Sequence, residues 1–137
     1  MKTYKYSEHT ADVRLQVEAN NLEDLFCISI QGMANLIKKD FCKSNAISNL
    51  KEELEIKSPD LSTLLIDLMS EVLTLTQINK AIYCKLEIQE LENNKIKCFV
   101  YGSKVKNFDK DIKAVTYHEA EIKSENNIYK TTVVFDI

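Results

Sequence analysis

An α+β domain, with two amphipathic helices covering one face of a mostly antiparallel or mixed sheet in two layers, is the fold class this sequence predicts. Two long segments repeat apolar residues at helical spacing, and about six or seven shorter ones alternate apolar with polar residues. Short clusters of Asn, Asp, Ser and Glu separate several of the alternating segments, as turns do. The chain has 137 residues, room for one domain spanning 1–137. No internal repeat is visible.

Lys2 to Tyr6 alternates charged or polar with aromatic residues and reads as a short first strand. The run Val13-Arg14-Leu15-Gln16-Val17-Glu18 follows, with Val13, Leu15 and Val17 on a core face and the charged or polar residues outward. Asn20-Asn21 makes a turn. Asn21 is a good N-cap with Asp24 three residues on, and Leu22, Leu25, Phe26, Met33, Leu36 and Ile37 stripe a first helix closed by Lys38 and Lys39. Residues 40–49 are polar and irregular. Leu54 and Ile56 alternate with charged residues, which predicts a strand. Ser58-Pro59-Asp60 reads as a helix start, with Ser58 as N-cap and Pro59 in the first turn. Leu61, Leu64, Leu65, Leu68, Met69, Val72 and Leu75 stripe the second helix, leaving Asp67 and Glu71 on a solvated flank.

Ile82, Cys84, Leu86 and Ile88 alternate strictly, Glu92-Asn93-Asn94 turns, and Ile96, Cys98 and Val100 alternate in return. This predicts a hairpin ended by Gly102. Residues 103–111, with three lysines and two aspartates, read as an exposed loop. A strand over 112–123, a turn over 124–127 and a last strand over 128–137 complete the chain.

Composition excludes several classes. Apolar residues make up 45% and charged residues 28%, ordinary globular values, and the net charge is -3. Direct nucleic-acid binding normally needs a basic surface, so it is not expected, whereas an acidic surface suits a basic protein partner. The four cysteines form no Cys-x-x-Cys pair, and Cys84 and Cys98 read as buried free thiols. No signal peptide and no membrane-spanning run is expected, which makes the cytoplasm the default compartment. Two glycines and one proline leave no phosphate-cradling loop.

The densest chemistry lies in Tyr6-Ser7-Glu8-His9-Thr10-Ala11-Asp12, with two carboxylates, an imidazole and hydroxyl groups just before a strand. Composition alone makes it a polar turn. The β-branched end, Thr131-Thr132-Val133-Val134-Phe135-Asp136-Ile137, changes that balance. If it lies beside the strand beginning at Asp12, then Asp136 and the α-carboxylate of Ile137 come near Asp12. Such carboxylates repel unless protonated or neutralised by a cation, and oxygen donors suit calcium or magnesium. His9 and His118 are the only histidines. Hydrogen-bonded structural roles rank ahead of ligation for them, with a softer, zinc-like site second.

At these residues the chain resembles the archease family. The resemblance rests on Glu8-His9-Thr10-Ala11-Asp12, on Leu22-Glu23-Asp24-Leu25-Phe26, on Lys113-Ala114-Val115-Thr116-Tyr117-His118, and on Val134-Phe135-Asp136-Ile137. It implies a small, non-catalytic, metal-binding activator of RtcB, the GTP-dependent RNA ligase of tRNA splicing, that promotes guanylylation and multiple turnover. It also implies Asp12, Asp136 and Ile137 as metal ligands, with Glu8, His9, Thr10, Lys113 and His118 as supporting or partner-facing residues. Departures are Asn20 where many members carry Gly, Arg14 where a smaller residue is common, and Glu71-Val72 in place of a Glu-Trp pair. None removes an implied ligand. Rival readings from the residues are a metal-dependent hydrolase built on Asp12, Asp136, His9 and His118, and a chaperone-like protein-binding module. The oligomeric state and the identity of the metal are left open.

Overall fold

A computed structural model describes residues 1–8, 12–44 and 49–137, with main chain only at Glu8 and Ser44. Among the described residues eight strands, two long helices and one short helix follow in the order β1 (Lys2–Glu8), β2 (Asp12–Ala19), α1 (Leu22–Ile37), α2 (Phe41–Ser44), β3 (Leu50–Lys57), α3 (Leu61–Asn79), β4 (Ala81–Glu92), β5 (Lys95–Lys104), β6 (Ala114–Thr116), β7 (Lys123–Glu125) and β8 (Ile128–Asp136). This is the α+β class anticipated, with its strands divided between two antiparallel sheets. One has five strands in the order β1-β2-β8-β6, with β7 also on β8, and the other runs β3-β5-β4. Strands β6 and β7 share one edge of β8, β7 pairing with 128–130 and β6 with 134–136. The segment between them leaves the sheet.

The alternation in β2 works as read. Val13, Leu15, Val17 and Ala19 are buried, and their cross-strand partners on β8 include Phe135, Val133 and Thr131. Helix α1 packs on β1, β2 and β4, and α3 on β3, β4, β5 and β6, so each helix touches both sheets. One buried cluster joins Leu15, Phe26, Met33, Leu65, Met69, Ile82, Val100 and Phe135. Burial of such side chains, each contributing about 1.5–3 kcal/mol, is what holds helices and sheets together.

Both helix starts depend on caps. Asn21 Oδ1 accepts from Asp24 N–H at 2.8 Å, as the sequence predicts. At α3 the expectation is corrected: Asp60 is the N-cap, its Oδ1 accepting from Thr63 N–H at 2.8 Å. Ser58 instead donates its main-chain N–H to Asn94 at 2.9 Å and its hydroxyl to Asp67 at 2.5 Å, and Pro59 precedes the helix. Asp67 is therefore no idle solvated flank, since it also accepts from Tyr117 Oη at 2.5 Å. Helix α3 has the length and hydropathy to cross a membrane, contrary to the expectation that no such run exists. Its Leu64, Leu65, Ile66, Leu68, Met69, Val72 and Leu73 are spent on the core instead.

Three further expectations change. The strand expected over 112–123 is broken: the chain is in strand at Ala114–Thr116 and again at Lys123–Glu125, which enters the span expected as a turn, with Glu119 between them in the left-handed region at φ 59°. β5 passes through Gly102 to Lys104 rather than stopping there. Cys84 is not a free thiol: it forms a disulfide with Cys42, Cα–Cα 5.5 Å, tying α2 to β4. The ladder shifts register between Tyr83 and Lys85, so strict alternation fails at Cys84 and Tyr83 is buried beside Ile82. Cys98 is the buried free thiol expected, pushed up to about 12 by burial.

Candidate functional site

Four strand ends meet at one end of the five-stranded sheet. β1 finishes at Glu8, opposite Val13, and β2 starts at Asp12. β8 finishes at Asp136, and β6 starts at Ala114, opposite Asp136. The register between β2 and β8 sets Asp12 directly across from Asp136. Cross-strand partners share a face, and here it is the outward one, because Val13 and Phe135 next to them point into the core. The juxtaposition inferred from the two chain segments is therefore present. Ile137 follows Asp136 with its side chain packed against the core, one residue beyond the pair.

Lys113 N–H donates to the Asp136 carbonyl at 2.8 Å, so this residue also sits at the sheet end, with an exposed side chain. His118 lies further along, on the exposed segment after β6, where its main-chain N–H donates to Thr116 Oγ1 at 3.3 Å. His9 and Thr10 lie outside the described residues, as does the side chain of Glu8. Among the described residues no group of three or more His, Cys, Asp or Glu side chains is placed to hold a metal ion, so His118 does not join Asp12 and Asp136 in a ligand cluster.

Two carboxylates directly opposite each other destabilise a sheet unless neutralised. Part of that neutralisation is internal. Arg14, two residues after Asp12 and on the same face, donates from Nη1 to Asp12 Oδ1 at 3.0 Å and from Nε to Glu119 Oε2 at 2.7 Å. The hydrogen bond to Glu119, more than the charge of Asp12, holds the guanidinium above even its ordinary range, so it is a permanent cation here. Among the described residues Asp136 has no ion pair. The donor set is all oxygen, two carboxylates and adjoining main-chain oxygens, which fits part of the coordination sphere of a hard divalent cation.

Arg14 was legible as an outward residue, because its parity with Asp12 follows from the strand period, and as a departure from the resembled family, but its bond to Asp12 was not. Glu119 carried no signal at all. It reaches Arg14 from 105 positions away through an irregular segment that periodicity does not describe. Along the same face a cleft of about 350 Å³ is lined by Gln16, Glu18, Glu119, Glu121, Lys123 and Lys130.

Fold and site together define a small α+β protein that presents a carboxylate pair at the end of an antiparallel sheet. The chain belongs to the archease family: the family model described as Archease protein family (MTH1598/TM1083) matches residues 4–137. Protein archease of Methanosarcina mazei is 31% identical over 144 residues, covering 99% of this chain and 97% of the relative. That of Methanosarcina barkeri is 32% identical over 145 residues, with the same coverage. In fold the chain is similar to the solution structure of Methanobacterium thermoautotrophicum protein 1598, with TM-score 0.79, 23% identity and 98% of both chains covered. It is also similar to the crystal structure of an archease, possible chaperone, from Thermotoga maritima, with TM-score 0.63, 20% identity and 97% and 96% covered.

Proposed function

We propose that this protein is a metal-binding activator of an RtcB-type RNA ligase. It promotes guanylylation of the ligase and multiple turnover without acting on RNA itself. The observation that carries the reading is the register that sets Asp12 against Asp136, in a chain whose family membership is shown. Asp12, Asp136 and the main-chain oxygens of Ile137 would hold a calcium or magnesium ion. When bound, such an ion supplies positive charge for phosphate oxygens, the main requirement of nucleotidyl and phosphoryl transfer.

The remaining work falls to the chain's own residues. β2 and β8 hold Asp12 and Asp136 opposite each other, each strand being paired and packed on the core through Val13 and Phe135. Exposed Lys113, fixed beside Asp136 through its main chain, offers a positive charge for a phosphate or an acidic group on the partner. The net charge of -3 suits a basic protein surface better than RNA. A chaperone-like reading has less support. Among the described residues the exposed large hydrophobics are only Met1, Ile78 and Tyr117, too few for a contiguous apolar patch.

The test is a ligation assay with the ligase limiting, with and without this protein, alongside calcium calorimetry. Asp12→Asn and Asp136→Asn should each lose calcium affinity and stimulation while keeping native circular dichroism. Folded variants that stimulate as well as the wild type would remove the pair from the mechanism.

A further inference from the structure

Arg14 connects two parts of the molecule that share no ladder. One nitrogen holds Asp12, half of the carboxylate pair, and another holds Glu119, in the segment between β6 and β7. That segment is under backbone constraint. Glu119 has φ 59°, a conformation that costs a residue with a Cβ about 1–2 kcal/mol, so contacts from outside must maintain it. On one side Ala120 is buried and Ile122 N–H donates to Ser62 on α3 at 2.9 Å. On the other side Glu119 is tied down by Arg14. Glu119 also forms part of the wall of the cleft over Gln16 and Glu18.

We propose that Arg14 is a built-in counter-ion of the Asp12–Asp136 pair, and that a divalent cation bound there competes with it and loosens the Glu119 segment from the sheet. The inference rests on the oxygen-donor reading above and adds a competitor and a linked loop to it. A guanidinium is a rigid planar fork, so shifting Nη1 away from Asp12 swings Nε away from Glu119 as well. Two cations on one carboxylate repel each other, and Arg14 cannot shed its charge. By linkage, whatever weakens the arginine's hold on Asp12 must favour the ion, and the ion must weaken that hold in return. The consequence for function is that the metal-loaded form presents a freer Glu119, and an altered cleft, to its partner.

The test uses the full chain and calcium chloride as the probe, at fixed ionic strength. Arg14→Gln should bind calcium about tenfold more tightly than the wild type, and Arg14→Lys, which keeps the charge, should bind much less tightly than Arg14→Gln. Amide exchange supplies the second readout. In the wild type, calcium should speed exchange over 117–122. In Glu119→Ala, which removes the acceptor for Nε and leaves the Arg14–Asp12 bond in place, exchange there should already be fast without calcium and change little on its addition. Equal or weaker calcium binding by Arg14→Gln would overturn the competition. Exchange over 117–122 that calcium leaves unchanged in the wild type, or that is as slow in Glu119→Ala as in the wild type, would overturn the tether. If neither the wild type nor Arg14→Gln bound calcium, the metal reading would fall and the counter-ion role with it.

Discussion

Two glycines show how much a single position depends on what faces it. A Cβ at Gly102 would lie 2.5 Å from the Ile82 carbonyl oxygen and 2.8 Å from the Tyr83 ring. Both groups belong to the strand opposite, at the register shift beside Cys84, and the carbonyl is backbone that cannot swing aside. A Cβ at Gly32 would meet the methyl groups of Leu15 at 2.8 and 2.9 Å, which are the far ends of a side chain. Gly32 is also in a helix, where alanine gains about 1 kcal/mol over glycine. Gly102→Ala should therefore cost about 3 kcal/mol, at the upper end of overpacking penalties, and Gly32→Ala about 1 kcal/mol or less. Urea denaturation of the two variants checks the order. Equal losses would mean that β4 yields at Ile82 as readily as Leu15 does in the core. The same contrast of residue and setting applies to Tyr6: its hydroxyl donates to the Gly32 carbonyl at 2.6 Å and accepts from Asn35, and burial pushes its pKa up.

At the scale of an element, α3 is the one whose setting differs most from its sequence pattern. Its stripe was readable, but its first residue was not, because Ser58, Pro59 and Asp60 all favour helix starts. The choice fell to Asp60 because Ser58 is engaged elsewhere, by Asn94 on one side and Asp67 on the other. The Thr63 N–H donated to the Asp60 carboxylate lowers its pKa below the usual range. With the folded value depressed, the cap's contribution is fully present above the unfolded aspartate pKa of about 3.9 and is lost as pH falls through the lower folded value. The Thr63 amide resonance should therefore titrate with a midpoint below that of a free aspartate. Asp60→Asn keeps an acceptor but not the charge, so its Thr63 resonance should stay flat over the same range. A midpoint in the wild type at the ordinary aspartate value would show that Thr63 does not hold the carboxylate.

The whole molecule is a set of local elements fastened by a few long-range links. The Cys42–Cys84 disulfide spans 42 positions and fixes α2 to β4, next to the packing of α1 on that strand. In the chain-entropy account a loop of that length restricts the unfolded chain by about 4 kcal/mol. Cys42→Ser should lower stability by about 2–4 kcal/mol under oxidising conditions and by almost nothing in the presence of a thiol reductant. Parallel denaturation curves with and without reductant separate the two cases, and a variant equally destabilised in both would point to lost packing at Cys42 rather than a lost link. Burial pushes the Cys98 and Cys27 thiols up, which disfavours the thiolate that exchange with that bond requires.

The sequence by itself determined the local structure and the placement of the outward and inward residues wherever a period was unbroken. The stripes of α1 and α3, the alternation of β2 and the turn at Asn93-Asn94 follow from side-chain chemistry within a few residues. The carboxylate pair was also within reach, since β2 and β8 are both regular and a register between them fixes which side chains share a face. Tertiary structure alone decided the division into two sheets, the interruption between Ala114–Thr116 and Lys123–Glu125, and the bond of Cys42 to Cys84. It alone decided that Arg14 would bridge Asp12 and Glu119. Each of these depends on which distant segments meet, and on breaks in the period at Cys84 and Glu119, where a residue's neighbours in sequence no longer say which way its side chain points.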